Sequence, residues 1–155
     1  MIIELTSDPD NRAEHEANHA AVVFALGHSV KYLAIDKLSA AQKKAFKLGK
    51  SAAGACEPLI PESDRQAWIK VLLAGVYFGM GDEDDREQVT TLLAELFPSD
   101  EPAGRALLSK LGDDVLDLLD QPGVKRGIAA LANALNDEGV LDGARAQQIF
   151  KDAQK

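Results

Sequence analysis

Two histidines and a glutamate near the start of the chain have the types and spacing of a metal-binding helix. His15 and His19 stand four residues apart, and Glu16 directly follows the first histidine. On an α-helix, residues four apart differ by about 40° of rotation and about 6 Å of rise, so both imidazoles project from one face. The H-E-x-x-H pattern predicts a Zn²⁺ site in which Glu16 removes a proton from a metal-activated water. The alternative is a solvated helix that carries two histidines by chance.

The helix that bears these histidines must present them to the interior of the protein. Asp8-Pro9 is typical of a helix start, and Gly27 is typical of a residue that ends a helix. An apolar stripe in register with both histidines is formed by Val22, Val23 and Leu26. We therefore expect the imidazoles to point towards the core, as a metal-binding pair should.

Turn residues divide the rest of the chain into a short β element and a series of helices. Val30–Ile35 alternates as a short strand does. Between Asp36 and Pro61 the pattern is least regular, and it allows a helix from Ser39 to Leu48 and a second strand over Ala53–Ile60. Five further helices are predicted: one capped by Ser63, one from Asp82 to before Pro98, one from Asp100 to about Gln121, one closed near Gly139 and one after Asp142. We expect a mainly α protein, a single-domain helical bundle over residues 1–155 with a short β element after the first helix.

Composition restricts the partners and the compartment. The 17 Lys and Arg residues against 25 Asp and Glu residues give a net charge of −8, which argues against nucleic-acid or anionic-membrane partners. The single cysteine, Cys56, excludes an internal disulfide and is typical of a reducing cytosol. The chain starts without the pattern of a signal peptide, and its longest uncharged apolar run, Val71–Gly81, is about half of a membrane span. These features predict a soluble, cytoplasmic protein in which Cys56 is a structural thiol.

A zinc site needs a third protein ligand, and the acidic run 82–87 offers several carboxylates. Helical phase separates them, because Asp85 is in line with an apolar stripe and Asp84 is on the polar side. Asp82 suits the N-cap of the helix without any metal. The stripe consists of Val89, Leu92 and Leu96. A buried Asp85 would need a partner such as zinc; alternatively, the whole run is a charged helix start with Asp85 at the solvated edge of the core.

Four segments of the chain resemble the peptidase domain of FtsH-type ATP-dependent zinc proteases. Residues 15–27 read His-Glu-Ala-Asn-His-Ala-Ala-Val-Val-Phe-Ala-Leu-Gly, where the family has an H-E-A-G-H-A helix that runs into a Gly turn and a short strand. Val71–Gly75 is similar to the later "LAG" helix of the family. Gly81–Asp85 matches its Gly-x-x-x-Asp segment, and Leu131–Gly143 is similar to its closing segment. The resemblance covers most of the chain outside Asp36–Pro61.

The resemblance implies a zincin-like metallopeptidase that hydrolyses unfolded proteins or peptides. It implies that Zn²⁺ is held by His15, His19 and Asp85, because the Asp of the family's Gly-x-x-x-Asp segment is its third zinc ligand. Glu16 is then the general base. A partner ATPase or a homo-oligomer is the partner that this family suggests.

The chain departs from the family in three respects. Asn18 stands where the family has the Gly of H-E-A-G-H, and Val76-Tyr77-Phe78 follows Gly75 where an Ala-Glu pair is usual. The ATPase module and the membrane anchor of the family are not in this sequence. These departures keep a second hypothesis open, in which the domain is catalytically silent and acts as a binding or scaffolding module.

Overall fold

Six helices and four short strands make up the described part of the chain, which comprises residues 3–5, 12–35, 41, 44, 54–78 and 83–155 of a computed structural model. The helices are α1 (Arg12–Ala25), α2 (Arg65–Phe78), α3 (Glu83–Leu96), α4 (Glu101–Leu119), α5 (Pro122–Glu138) and α6 (Gly143–Gln154). The strands are β1 (Ile3–Leu5), β2 (Ser29–Ile35), β3 (Gly54–Leu59) and β4 (Val140–Asp142). The expectation of a mainly α fold with a short β element after the first helix is confirmed.

The strands form one antiparallel sheet in the order β1-β3-β2-β4. Strand β2 lies inside it, with Leu33 opposite Cys56 of β3 and also opposite Leu141 of β4. Because successive strand residues point to opposite faces, Leu33 contributes to the main hydrophobic core while its neighbour Tyr32 packs on the other face. The sheet thus extends the expected β element, and β3 confirms the second strand predicted over Ala53–Ile60.

Helix α1 lies inside the molecule and is in contact with α2, α5, β2 and β3. Ala13 and every residue from His15 to Val23 are buried. Burial therefore extends around the whole helix, which is wider than the single apolar stripe that the sequence predicts. Small side chains suit a helix packed on several sides, because they let neighbouring elements come close; those of α1 are Ala17, Ala20 and Ala21. Both histidines point into the interior, as expected.

A glycine ends α1 and allows β2 to fold back over it. Gly27 has a φ of 84°, a left-handed backbone conformation that residues other than glycine rarely adopt. Strand β2 begins two residues later, so the predicted helix end is confirmed. The predicted start at Asp8-Pro9 lies outside the described residues. So does the predicted helix from Ser39 to Leu48, except that Ala41 and Lys44 are helical.

The cap of α2 is Asp64, and the prediction of Ser63 is wrong by one residue. The Asp64 carboxylate accepts a hydrogen bond from the backbone N–H of Ala67 at 3.2 Å. A carboxylate satisfies the free N–H groups of a helix start and also complements the helix dipole. Both residue types favour this position, so the sequence alone could not choose between the two neighbours.

The other helix boundaries that fall within the described residues are those that the sequence predicts, whereas the predicted helix start at Asp82 lies outside them. Helix α3 ends at Leu96, before Pro98. Asp100 and Asp142 cap α4 and α6, and Gly139, with a φ of 78°, ends α5. Among the described helices, none is both long and apolar enough to cross a membrane.

Candidate metal centre

Three buried side chains from two helices converge on one small volume. His15 and His19 project from α1, and Asp85 projects from the first turn of α3. The two Nε2 atoms are 3.0 Å apart. Oδ2 of Asp85 lies 3.3 Å from Nε2 of His15 and 3.2 Å from Nε2 of His19. The three atoms form a nearly equilateral triangle, and this group could hold a metal ion.

The dimensions of the triangle fit a tetrahedral ion. Donor atoms about 2.0–2.1 Å from such an ion lie about 3.3–3.4 Å from one another. The edges of 3.0, 3.2 and 3.3 Å require shifts of only a few tenths of an ångström. Two neutral imidazoles and one carboxylate are also a donor set that divalent transition metals prefer. The residues present therefore fit a metal ion, with one tetrahedral position left for another ligand.

A backbone carbonyl fixes the orientation of His19. Its Nδ1 lies 2.7 Å from the carbonyl oxygen of Val71 in α2. Because a carbonyl only accepts hydrogen bonds, Nδ1 carries the proton and donates it. Nε2 then presents its lone pair to the centre of the triangle when the ring is neutral. The ring of His15 stands almost perpendicular to that of His19, at 76° with centroids 4.7 Å apart.

Asp85 lies on the buried face of α3, as its spacing from the apolar residues of that helix predicts. Its exposure is 0%, and Val89 and Leu92, which follow it on the stripe, are buried as well. The alternative of a solvated edge position for Asp85 is therefore wrong. The side chain of Asp84 lies outside the described residues.

The charges of the ion-free group are strongly coupled. Burial by itself would lower the pKa of His19, but the charge and hydrogen bond of Asp85, together with the charge of Glu16 and the hydrogen bond to Val71, outweigh it and raise that pKa to about 9. Burial alone would likewise raise the pKa of Asp85, whereas the two histidines lower it to about 2. The opposite charges of His19 and Asp85 therefore stabilise each other in this buried group.

Glu16 is also fully buried, at 0% exposure. It is not one of the three converging donors, although its charge contributes to the raised pKa of His19. The same charge helps to raise the pKa of the buried Cys56 thiol on β3, where burial is the largest cause. A thiol held neutral in this way is unreactive, in agreement with the structural role expected for Cys56.

Asn18, the departure from H-E-A-G-H, is accommodated by its own helix. Its side-chain Nδ2 donates a hydrogen bond of 2.7 Å to the backbone carbonyl of Glu14, one turn earlier. The amide group is thereby turned back along α1. The Asn in place of Gly is thus compatible with the convergence of His15, His19 and Asp85.

Comparison with known proteins adds no relative from which a role could be transferred. No family model matches the chain, and no curated protein matches it. The resemblance to FtsH-type peptidase domains therefore depends on the residues themselves.

Two further features of the site belong to α2 and were not identified from the sequence. One is the Val71 carbonyl that orients His19, and the other is Gly75, one turn later, which faces His19 and Asp85. A backbone carbonyl has no signature in a sequence. The sequence Val-Leu-Leu-Ala-Gly indicates a helix similar to that of the family, but only the packing of α2 against α1 shows what the glycine contacts.

Proposed function

We propose that this chain is a zinc-dependent metallopeptidase domain similar to that of FtsH-type proteases. Zn²⁺ is held by His15, His19 and Asp85, and Glu16 is the general base. The observation that carries the proposal is the convergence of one atom from each of the three ligands within 3.3 Å. The H-E-x-x-H motif supports Glu16 as the general base, because a purely structural zinc helix has no need of a carboxylate beside its first ligand.

In this proposal the residues of α1 divide the chemistry between them. When bound, zinc lowers the pKa of a coordinated water towards 7 and polarises the peptide carbonyl. Glu16 accepts the proton of the water whose oxygen attacks the carbonyl carbon. As the C–N bond breaks, Glu16 returns that proton to the leaving amine nitrogen. The hydrogen bond to the Val71 carbonyl holds the His19 ring in place throughout.

We propose an unfolded protein or a short peptide as the substrate, as the resemblance to FtsH-type peptidases implies. The net charge of −8 disfavours polyanionic partners such as nucleic acid. The single, buried cysteine is compatible with a cytoplasmic location. A partner ATPase or a homo-oligomer would bring a folded substrate within reach of the site.

A second candidate function is supported by the depth of the site. His15 is only 3% exposed, and Glu16, His19 and Asp85 are at 0%. A substrate must reach the metal, whereas a metal that only stabilises a binding or scaffolding module needs no access. Activity measurements separate the two functions.

The test combines metal analysis with a matched pair of variants. The protein is purified without nickel resin, loaded with zinc and assayed on casein, which needs no unfolding motor. His19→Ala should lose the zinc and the activity. Glu16→Gln should keep one equivalent of zinc and the same circular dichroism, but lose hydrolysis by about 10²–10⁴-fold, as expected for a general base.

Each outcome decides between the candidates. Hydrolysis that a chelator removes and zinc restores supports the peptidase. Zinc binding with hydrolysis no greater than that of Glu16→Gln, also after addition of an ATPase partner, supports the binding module. Iron or manganese, rather than zinc, in the protein as purified and before any metal is added would refute the zinc assignment.

A further inference from the structure

One turn of α2, from Val71 to Gly75, lies directly against the candidate metal centre. Val71 contributes the carbonyl that accepts the hydrogen bond from His19. A helical turn later, Gly75 faces His19 and Asp85. Thus a single turn of α2 is in contact with donors from both α1 and α3.

The space at position 75 is too small for any side chain. A Cβ built on Gly75 would lie 2.1 Å from Oδ2 of Asp85. It would also lie 2.6 Å from Cε1 and 2.7 Å from Nε2 of His19. Separations under 3.0 Å are essentially never observed for a Cβ, so even a methyl group would force the donors to move.

We propose that Gly75 is a positioning residue of the metal centre. By having no side chain, it lets α2 approach closely enough for His19 and Asp85 to converge on one ion. This inference rests on the metal of the proposed function but not on its catalytic step. Helix α2 thus orients His19 through the Val71 carbonyl and leaves room for His19 and Asp85 at Gly75.

The required displacement is large compared with the tolerance of a metal site. To restore normal contact with a methyl group, the Asp85 carboxylate must move by about 1 Å, whereas metal–ligand distances are held within about 0.2 Å. Alanine is a better helix former than glycine, so the substitution does not weaken α2 itself. The expected defect is therefore in the arrangement of the donors.

The experiment compares Gly75→Ala with Gly104→Ala. Gly104 lies in α4, and a Cβ there would meet only the Phe97 side chain at an ordinary 3.8 Å. Zinc affinity is measured by competition with a chromophoric chelator. Loss of a group that only hydrogen-bonds to a metal ligand already costs about 10–100-fold in metal affinity. We therefore expect Gly75→Ala to weaken zinc binding at least about 100-fold and Gly104→Ala to leave it unchanged. The visible absorption of bound Co²⁺ should lose its tetrahedral intensity in Gly75→Ala alone.

A double-variant cycle shows whether Gly75 acts through the donors. In an Asp85→Ala background, Gly75→Ala should cause a smaller further loss of zinc affinity, because the 2.1 Å contact has been removed and only the contacts with His19 remain. If Gly75→Ala fails to fold, Asp85→Ala together with His19→Ala should restore folding. Additive losses, a triple variant that stays unfolded, or wild-type zinc affinity in Gly75→Ala would overturn the inference.

The result is distinguishable from failure of the proposed function. Zinc binding without hydrolysis in the wild type would remove the peptidase and leave the role of Gly75 intact. Equal zinc affinity in wild type and Gly75→Ala would remove the role of Gly75 and leave the peptidase intact. A wild-type chain that binds no divalent ion would overturn both.

Discussion

Zinc affinity should depend steeply on pH, because the ion must displace a proton. The pKa of His19 is raised to about 9, with Asp85 as the largest raising influence. Below pH 9 this imidazole is mostly protonated, and zinc binds only the unprotonated ring. Binding then releases one proton from His19, which by itself makes the apparent affinity rise about tenfold per pH unit below pH 9; deprotonation of a zinc-bound water adds to this rise. At pH 7, two units below that pKa, the proton of His19 alone weakens binding about 100-fold.

Asp85→Asn isolates the origin of this dependence. The amide keeps the size of the side chain but removes its charge, which is the largest influence that raises the pKa of His19, so that pKa falls. The affinity of the variant should be lower overall, and it should rise less steeply between pH 7 and 8.5, because the proton of His19 contributes less. Slope and absolute affinity are separate quantities, so loss of a ligand does not obscure the comparison.

Two measurements determine the slope. Chelator competition at a series of pH values, corrected for protonation of the chelator, gives the affinity. Calorimetry in two buffers of different ionisation enthalpy gives the number of protons released. A wild-type affinity that does not change between pH 7 and 8.5, or equal slopes for wild type and Asp85→Asn, would refute the coupling of His19 to Asp85.

Two further predictions concern neighbouring acidic or polar residues of which only one is expected to matter. Asp85→Ala should weaken zinc binding by at least about 100-fold, since a lost ligand should cost no less than a lost hydrogen-bonding partner of a ligand. Asp84→Ala should leave zinc binding nearly unchanged. Chelator competition measures both affinities, and a stronger effect of Asp84→Ala would contradict the predicted helical phase. Asp64→Ala should lower the stability of the fold by about 1 kcal/mol through loss of the α2 cap, which corresponds to about 2–4 °C in Tm for a chain of this size. Ser63→Ala should lower Tm by less than half as much, and equal thermal unfolding shifts would show that the cap is shared.

The candidate metal donors were predictable because each follows a helical period. His15 and His19 are one turn apart on a single helix, so their proximity is a local property of the sequence. Asp85 required a second step, since its phase relative to Val89 and Leu92 shows that it is buried but not what it meets. Only the packing of α1 against the other helices brings it to 3.2 Å from His19.

Other features depend on contacts that a linear pattern does not contain. Strands β1 and β4 have three residues each, too few for an alternation to be recognised, and they exist because β3 and β2 offer partners. The choice of Asp64 over Ser63 as the cap depends on where the chain leaves the preceding turn. The full burial of α1 likewise arises from neighbours on several sides, while its own sequence indicates one apolar stripe.

The enclosure of α1 by elements far along the chain has a consequence for synthesis of the protein. Helix α5, which is in contact with α1, ends at Glu138, well over a hundred residues after His19. At ribosomal rates of about 5–20 residues per second, one side of α1 stays uncovered for roughly 6–24 s after it is made. During this interval its apolar surface is open to chaperones and to other nascent chains. A chain that stops inside α5 therefore contains His15, His19 and Asp85 but still lacks part of the enclosure that holds them in place.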